Sequence, residues 1–236
     1  MLPKIATPKY DMIVPSTGKS ITYRPYVVKE EKILLIAMET DDNITIENAI
    51  QNLIKACVET AIDINKLTSF DVEFMFANLR AVSVGEGIKI NPKCSAEDCD
   101  ARQELKVNIN EAKIENLDTN KDRTIKINDD ISVELKWLAM KDRLDTTKDM
   151  SDTEVIIQTL AKSISTIYSG EEIFDTSDSK PEEVVDFVES LNSDQFSDLM
   201  NKVSNTPYLS YKFEYDCAEC GTKNKRELKG LQDFFG

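Results

Sequence analysis

The chain contains no histidine. That removes the commonest general base and the commonest neutral metal ligand together. A catalytic triad has no imidazole to use, and any metal site must draw on sulfur or oxygen. Glycine and proline number seven each among 236 residues, too few for a linker-rich or low-complexity chain. Long apolar runs are missing too. The longest, Ile33 to Met38, falls far short of the ~20 residues a bilayer requires, so no membrane span is expected. The opening Met1-Leu2-Pro3-Lys4 lacks the apolar core of a signal peptide. The expectation is a chain made and kept in a reducing cytoplasm, where clustered cysteines point to metal more than to disulfides. Positive charge is also scarce, with 29 basic against 43 acidic residues and a net charge of −14. Such a surface repels a phosphate backbone, which disfavours nucleic acid and anionic membranes as partners.

What is present suits a globular protein of one large domain or two small ones. Residues 10–14 and 20–24 read as a hairpin, with Pro15-Ser16-Thr17-Gly18-Lys19 as its turn. Three helical patterns follow. Residues 28–39 align Ile33, Leu34, Ala37 and Met38. Residues 43–60 align Ile46, Ile50, Leu53, Ile54 and Cys57, and residues 69–82 align Phe70, Phe74, Ala77 and Leu79. Gly85 and Gly87 end that pattern, and β-type alternation takes over at 87–91, 103–109, 123–128 and 131–138. A second helical set begins at Ser151-Asp152-Thr153-Glu154, which has capping-box spacing, and aligns Ile156, Leu160, Ile164 and Ile167. Helices through about Leu191 and over 193–204 complete it. Strands over 208–215 and 223–228 close the chain. The expected class is α+β: a hairpin and helical subdomain over 1–84, then an 85–236 domain with a β-rich middle and a second helical set.

The strongest chemical signal is sulfur. Cys94-Ser-Ala-Glu-Asp-Cys99 and Cys217-Ala-Glu-Cys220-Gly221 are two short loops that each turn two thiols toward one point. Tetrahedral Zn2+ takes such a four-sulfur set, and Gly221 suits the tight turn of a knuckle. Each pair lies between expected strands, which describes a zinc ribbon built from residues ~87–109 and ~208–230 with the intervening residues as an insertion. Lys93, Lys223, Lys225 and Arg226 stand ready to offset the charge of the thiolates. A closed four-thiolate site leaves no open position for an activated water, so its expected role is a structural staple. Cys57, at helical spacing from Ile50 and Leu53, reads as a buried core thiol.

Other features carry less. Gly18-Lys19-Ser20 mimics the tail of a phosphate-binding loop. Yet Ile13 stands where the motif needs glycine, and a strand follows where it needs a helix. No Gly-x-Ser-x-Gly elbow occurs, and no small-molecule substrate is indicated. Residues 171–200 hold ten acids against Lys180 alone. Glu182, Glu183 and Asp186 are its candidate partner contacts, against the plainer reading of a solvated helical face. Phe234 and Phe235 either dock on the body or insert into a partner.

The end of the chain runs from Asn205-Thr-Pro207-Tyr-Leu-Ser-Tyr-Lys-Phe-Glu-Tyr-Asp-Cys217 through Cys220-Gly221 to Leu228-Lys-Gly230-Leu-Gln-Asp-Phe-Phe235. It resembles the closing segment of the T-even-type bacteriophage baseplate protein family, which includes baseplate hub subunits and hub assembly proteins. The opening is similar as well: Leu2-Pro3-Lys4, Tyr10 to Pro15, then Tyr23-Arg24-Pro25 and Val28-Lys29-Glu30-Glu31-Lys32-Ile33-Leu34. The resemblance implies a non-enzymatic role in assembling the central hub of a contractile tail, as subunit or chaperone. Its partners would be other phage tail proteins, met in the host cytoplasm during assembly and then in the virion baseplate. The cysteines alone also fit an alternative, a zinc-ribbon regulator that binds the transcription machinery.

Overall fold

The computed structural model describes residues 6–40, 42–118, 122–142 and 150–235. Among them the chain is α+β, with seven helices and eleven strands in four small sheets. It folds as two compact units. The first comprises residues 1–64, 70–115 and 208–236, and the second comprises 65–69 and 116–207. The boundary expected at 84/85 thus falls inside the first unit. The glycines there end a helix, and the strand that follows belongs to the same body.

In the first unit, β1 (Tyr10–Ile13) and β2 (Ser20–Tyr23) pair antiparallel as the expected hairpin. Gly18, at φ +66°, makes its turn by donating to the Val14 carbonyl at 2.8 Å, so the Gly-Lys-Ser triplet is turn chemistry and not a phosphate loop. Helices α1 (Val28–Met38), α2 (Asn43–Cys57) and α3 (Ser69–Ser83) follow. Asp42 caps α2 by accepting from the Ile44 and Thr45 amides. Helix α3 is buried around most of its circumference, from Phe70, Val72 and Met75 to Leu79 and Ala81. Asp71, fully buried on α3, accepts from the Ser16 amide at 2.9 Å and from its hydroxyl at 2.6 Å, which anchors the β1–β2 turn. The face expected for α1 differs. Leu34 and Ala37 are buried, but Ile33 is 54% exposed and Met38 39% exposed.

Strand β3 (Gly87–Ile90) pairs antiparallel with β4 (Leu105–Asn108). Strand β10 (Tyr208–Asp216) pairs with both β11 (Lys223–Lys229) and β5 (Lys113–Glu115). Between them sit Ile88, Val107, Ile109 and Leu209, packed with Ala77 and Ala81 of α3 and with Phe234 of α7 (Gly230–Phe235). Phe234 is only 3% exposed, so it docks on its own chain and is withdrawn from partner contact. The side chain of Phe235 lies outside the described residues.

The insertion is defined by one register. Glu115 stands opposite Tyr208 across the β5–β10 pair, so the chain leaves and re-enters at adjacent points. The second unit is a four-stranded antiparallel sheet in the order β6 (Thr124–Lys126), β7 (Ile131–Leu135), β8 (Ile164–Ser169), β9 (Glu172–Asp175). Helices α4 (Asp152–Ser163), α5 (Pro181–Glu189) and α6 (Ser193–Ser204) accompany it, and Val133, Leu160, Ile164, Val188 and Leu199 form its core. Ser151 and Glu154 make the expected capping box. Helix α4 stops at Ser163, however, and Ile164 and Ile167 belong to β8. The run Ile164-Ser-Thr-Ile167 is rich in β-branched residues, whose stiff side chains suit a pleated surface.

Candidate metal centre

The β3–β4 and β10–β11 hairpins each carry a cysteine knuckle beyond their strands. In the first, the Cys94 amide donates to the Ala101 carbonyl at 2.9 Å, and the Cys99 amide donates to Ala96 at 3.2 Å. The Ala96 amide points at Cys94 Sγ from 3.5 Å. In the second, the Cys217 amide donates to Thr222 and the Gly221 amide to Cys217, both at 2.9 Å. Gly221 lies at φ +72°, where a side chain would be strained.

These loops bring the four sulfurs within 4.8 Å of one another. Cys94 and Cys220 Sγ are 3.7 Å apart, and Cys99 and Cys217 Sγ are 3.8 Å apart. A tetrahedral ion with metal–sulfur bonds of ~2.3 Å requires edges of about 3.8 Å. The donor set fits one thiophilic ion, and the four thiols can hold it. Cys94, Cys99 and Cys217 are buried, while Cys220 is exposed. The surroundings split the thiols. The hydroxyl and amide of Thr222 pull Cys220 down to about 6, which favours its thiolate. For Cys99 the Ala101 backbone lowers the value, but desolvation and the neighbouring sulfurs outweigh it and push it up to about 12. Metal coordination replaces the held protons with one shared cation.

A second ring of contacts locks the two loops together. Asn224, fully buried on β11, accepts from the amide and the hydroxyl of Ser95, each at 2.7 Å. Its own amide donates to Thr222 at 2.8 Å. Gln103 accepts from the Ala218 amide at 3.1 Å, and Arg226 donates to the Lys93 carbonyl at 2.6 Å. Sequence reasoning missed Asn224 and Gln103. A neutral polar residue two places past Thr222, among the charged residues that open its strand, was the available cue for Asn224. The expected charge compensation is altered: Lys93 pairs with Asp100 at 2.5 Å, and Lys223 and Lys225 pair with Glu214. Arg226 serves the backbone.

A family model described as T4 bacteriophage base plate protein matches residues 7–236. The chain belongs to that family. No curated protein and no solved structure matches it. In this baseplate protein the cysteine centre sits wholly in the first unit, at the ends of two hairpins that the inserted unit separates in sequence. The other candidate residues scatter. Glu182, Glu183 and Asp186 are exposed on α5, far along the chain in the second unit. Glu183 accepts from the Lys180 amide at 3.0 Å and so caps its own helix. Cys57 is fully buried, and desolvation with the nearby Glu30 pushes its thiol up to about 11.

Proposed function

We propose that this baseplate protein acts without catalysis in assembling the central hub of a contractile tail, and that one structural Zn2+ staples its two hairpins. The observation that carries the staple is the sulfur tetrahedron with its Asn224 lock. Zinc is the ion that a closed four-thiolate knuckle pair of this spacing serves best. Four protein ligands leave no position for an activated water, which supports a structural and not a hydrolytic role. The family match supports tail proteins as partners. Val28, Ile33, Leu35 and Ile36, each more than half exposed on α1, offer an apolar face suited to such a partner. The acids Glu182 and Asp186 on α5 offer a polar one.

The test uses the phage. Infection with a phage lacking this chain is expected to yield tails arrested before a complete baseplate. Quantifying the chain in purified wild-type tails then separates the two forms of the role. A fixed stoichiometry identifies a subunit, and its absence identifies an assembly factor. Normal tails from the null phage would overturn the assignment.

A further inference from the structure

The second unit contains a cleft of about 430 Å³ that the baseplate reading leaves unused. Trp137, Leu138, Val155, Ile156, Met200 and Val203 give it an apolar wall. Arg123 and Lys136 line it too, and no acidic side chain does among the described residues. In a chain of net charge −14 this is a local reversal of sign.

Arg123 is the unusual group. It is only 8% exposed. Its Nε donates to the Leu135 carbonyl at 3.2 Å and one Nη2 hydrogen to the Lys136 carbonyl at 3.4 Å. The guanidinium carbon lies 5.2 Å from the centre of the Trp137 ring. Its Nη1 is shielded from solvent and has no hydrogen-bond partner among the described residues. Desolvation draws its pKa below the usual arginine range. A buried cation without a counter-charge is costly, and a native site normally supplies an anion to it.

We propose that this cleft binds an organic monocarboxylate with an apolar body, its carboxylate paired with the Arg123 guanidinium and its body against Trp137, Met200 and Val203. Two features argue against phosphate. A phosphate needs several donors, and the hydroxyls of Thr159, Ser163 and Thr206 already donate to the carbonyls of Val155, Thr159 and Val203, which leaves Ser69, Ser204 and Lys136 as the further donors of the lining. Two of the guanidinium nitrogens are also committed to the backbone, leaving a single anchoring edge. An apolar wall with a buried arginine and one lysine beside it matches one carboxylate group and its hydrocarbon or peptide neighbour. The carboxylate can come from a free small acid or from the C-terminus of a partner chain. The inference does not depend on the metal.

Trp137 is the only tryptophan in the chain, so its emission reports on the cleft directly. Full-length protein is titrated with hexanoate, hexanamide, acetyl-Leu-Leu-Leu and its C-terminal amide, with calorimetry in parallel. A saturable response to either carboxylate is expected, at least tenfold weaker for the matching amide. Hexanoate binding as tightly as the peptide identifies a small acid as the source, and a clear peptide advantage identifies a chain terminus. Arg123→Met is expected to abolish the difference between acid and amide. Because Arg123 also ties two carbonyls, Val203→Phe is tested beside it; this fills the cleft, leaves the arginine in place, and is expected to abolish binding with little change in melting temperature. Equal responses to acid and amide, or undiminished binding in Val203→Phe, would overturn the proposal and leave Arg123 a purely structural group.

Discussion

Removing the metal should melt the knuckles and spare the body. Among the described residues, the cluster around the sulfurs contains only Cys94, Cys99 and Cys217, with Ala96 and Ala101 against them. That is too little apolar surface to hold two loops closed without the ion. Counted along the chain, Cys99 and Cys217 are 118 positions apart, and a crosslink over such a loop is worth about 5 kcal/mol in the chain-entropy model. The body already pairs Glu115 with Tyr208, however, which shortens the loop that the ion itself closes to roughly 26 residues and its entropic worth to about 3.5 kcal/mol. Since 1.4 kcal/mol is a factor of ten, amide protection should fall at least a few hundredfold in residues 93–102 and 216–224 on chelation. The β5–β10 pair and α3 rest on the Ile88, Val107 and Leu209 core and should keep their protection. Hydrogen exchange followed by mass spectrometry reads both regions in one experiment. Unchanged protection at the knuckles would refute the staple, and loss across α3 and β5 would refute the independence of the core.

The same centre should weaken from its outer ring. Asn224→Ala removes both Ser95 contacts and should lower Zn2+ affinity about ten- to a hundredfold, measured by competition with a chromophoric chelator. In the first unit, Arg24 holds the Glu30 carboxyl below its usual range through contacts of 2.7 and 3.1 Å, with both side chains mostly buried. A lowered folded pKa contributes stability above the unfolded value that is lost as pH falls through the folded one. Glu30→Gln should therefore cost about 1–3 kcal/mol at neutral pH and flatten the acid limb below about pH 4.5, as followed by urea unfolding. In the second unit, Leu199→Ala empties a fully buried site and should cost about 2–5 kcal/mol by thermal or urea denaturation.

Local chemistry was legible in the sequence, and long-range closure was not. The cysteine loops could be read because a knuckle is short: its spacing and Gly221 encode its geometry within a few residues. The hairpin turn at Gly18 and the cap at Ser151 could be read for the same reason. Helix α6 could be read from Leu199, Met200 and Val203, whose spacing leaves one face to bury. The break between α4 and β8 escaped because Ile156, Leu160, Ile164 and Ile167 continue a helical period across it. The β-branched content of that run competed with the period, and tertiary pairing decided for the strand. The outward turn of Ile33 and Met38 on α1 escaped because periodicity finds an apolar stripe without saying what meets it.

The unit boundary escaped for a deeper reason. Gly85 and Gly87 interrupt a pattern, and an interruption looks the same whether it ends a domain or a helix. What divides this chain is the opposition of Glu115 and Tyr208, a pairing between residues too far apart for any local signal to record. That pairing also explains how one chain holds both a metal centre and an inserted unit. Since the insertion leaves and returns at neighbouring strand positions, its own fold need not disturb the distance between the two hairpins. The sulfur tetrahedron therefore depends on the first unit alone. Replacing residues 116–207 with a short Gly-Ser linker should leave a protein that still binds one Zn2+, shown by elemental analysis, and that has lost the Trp137 cleft. A linker variant that folds, judged by retained protection in α3, yet binds no metal would show that the insertion shapes the centre after all.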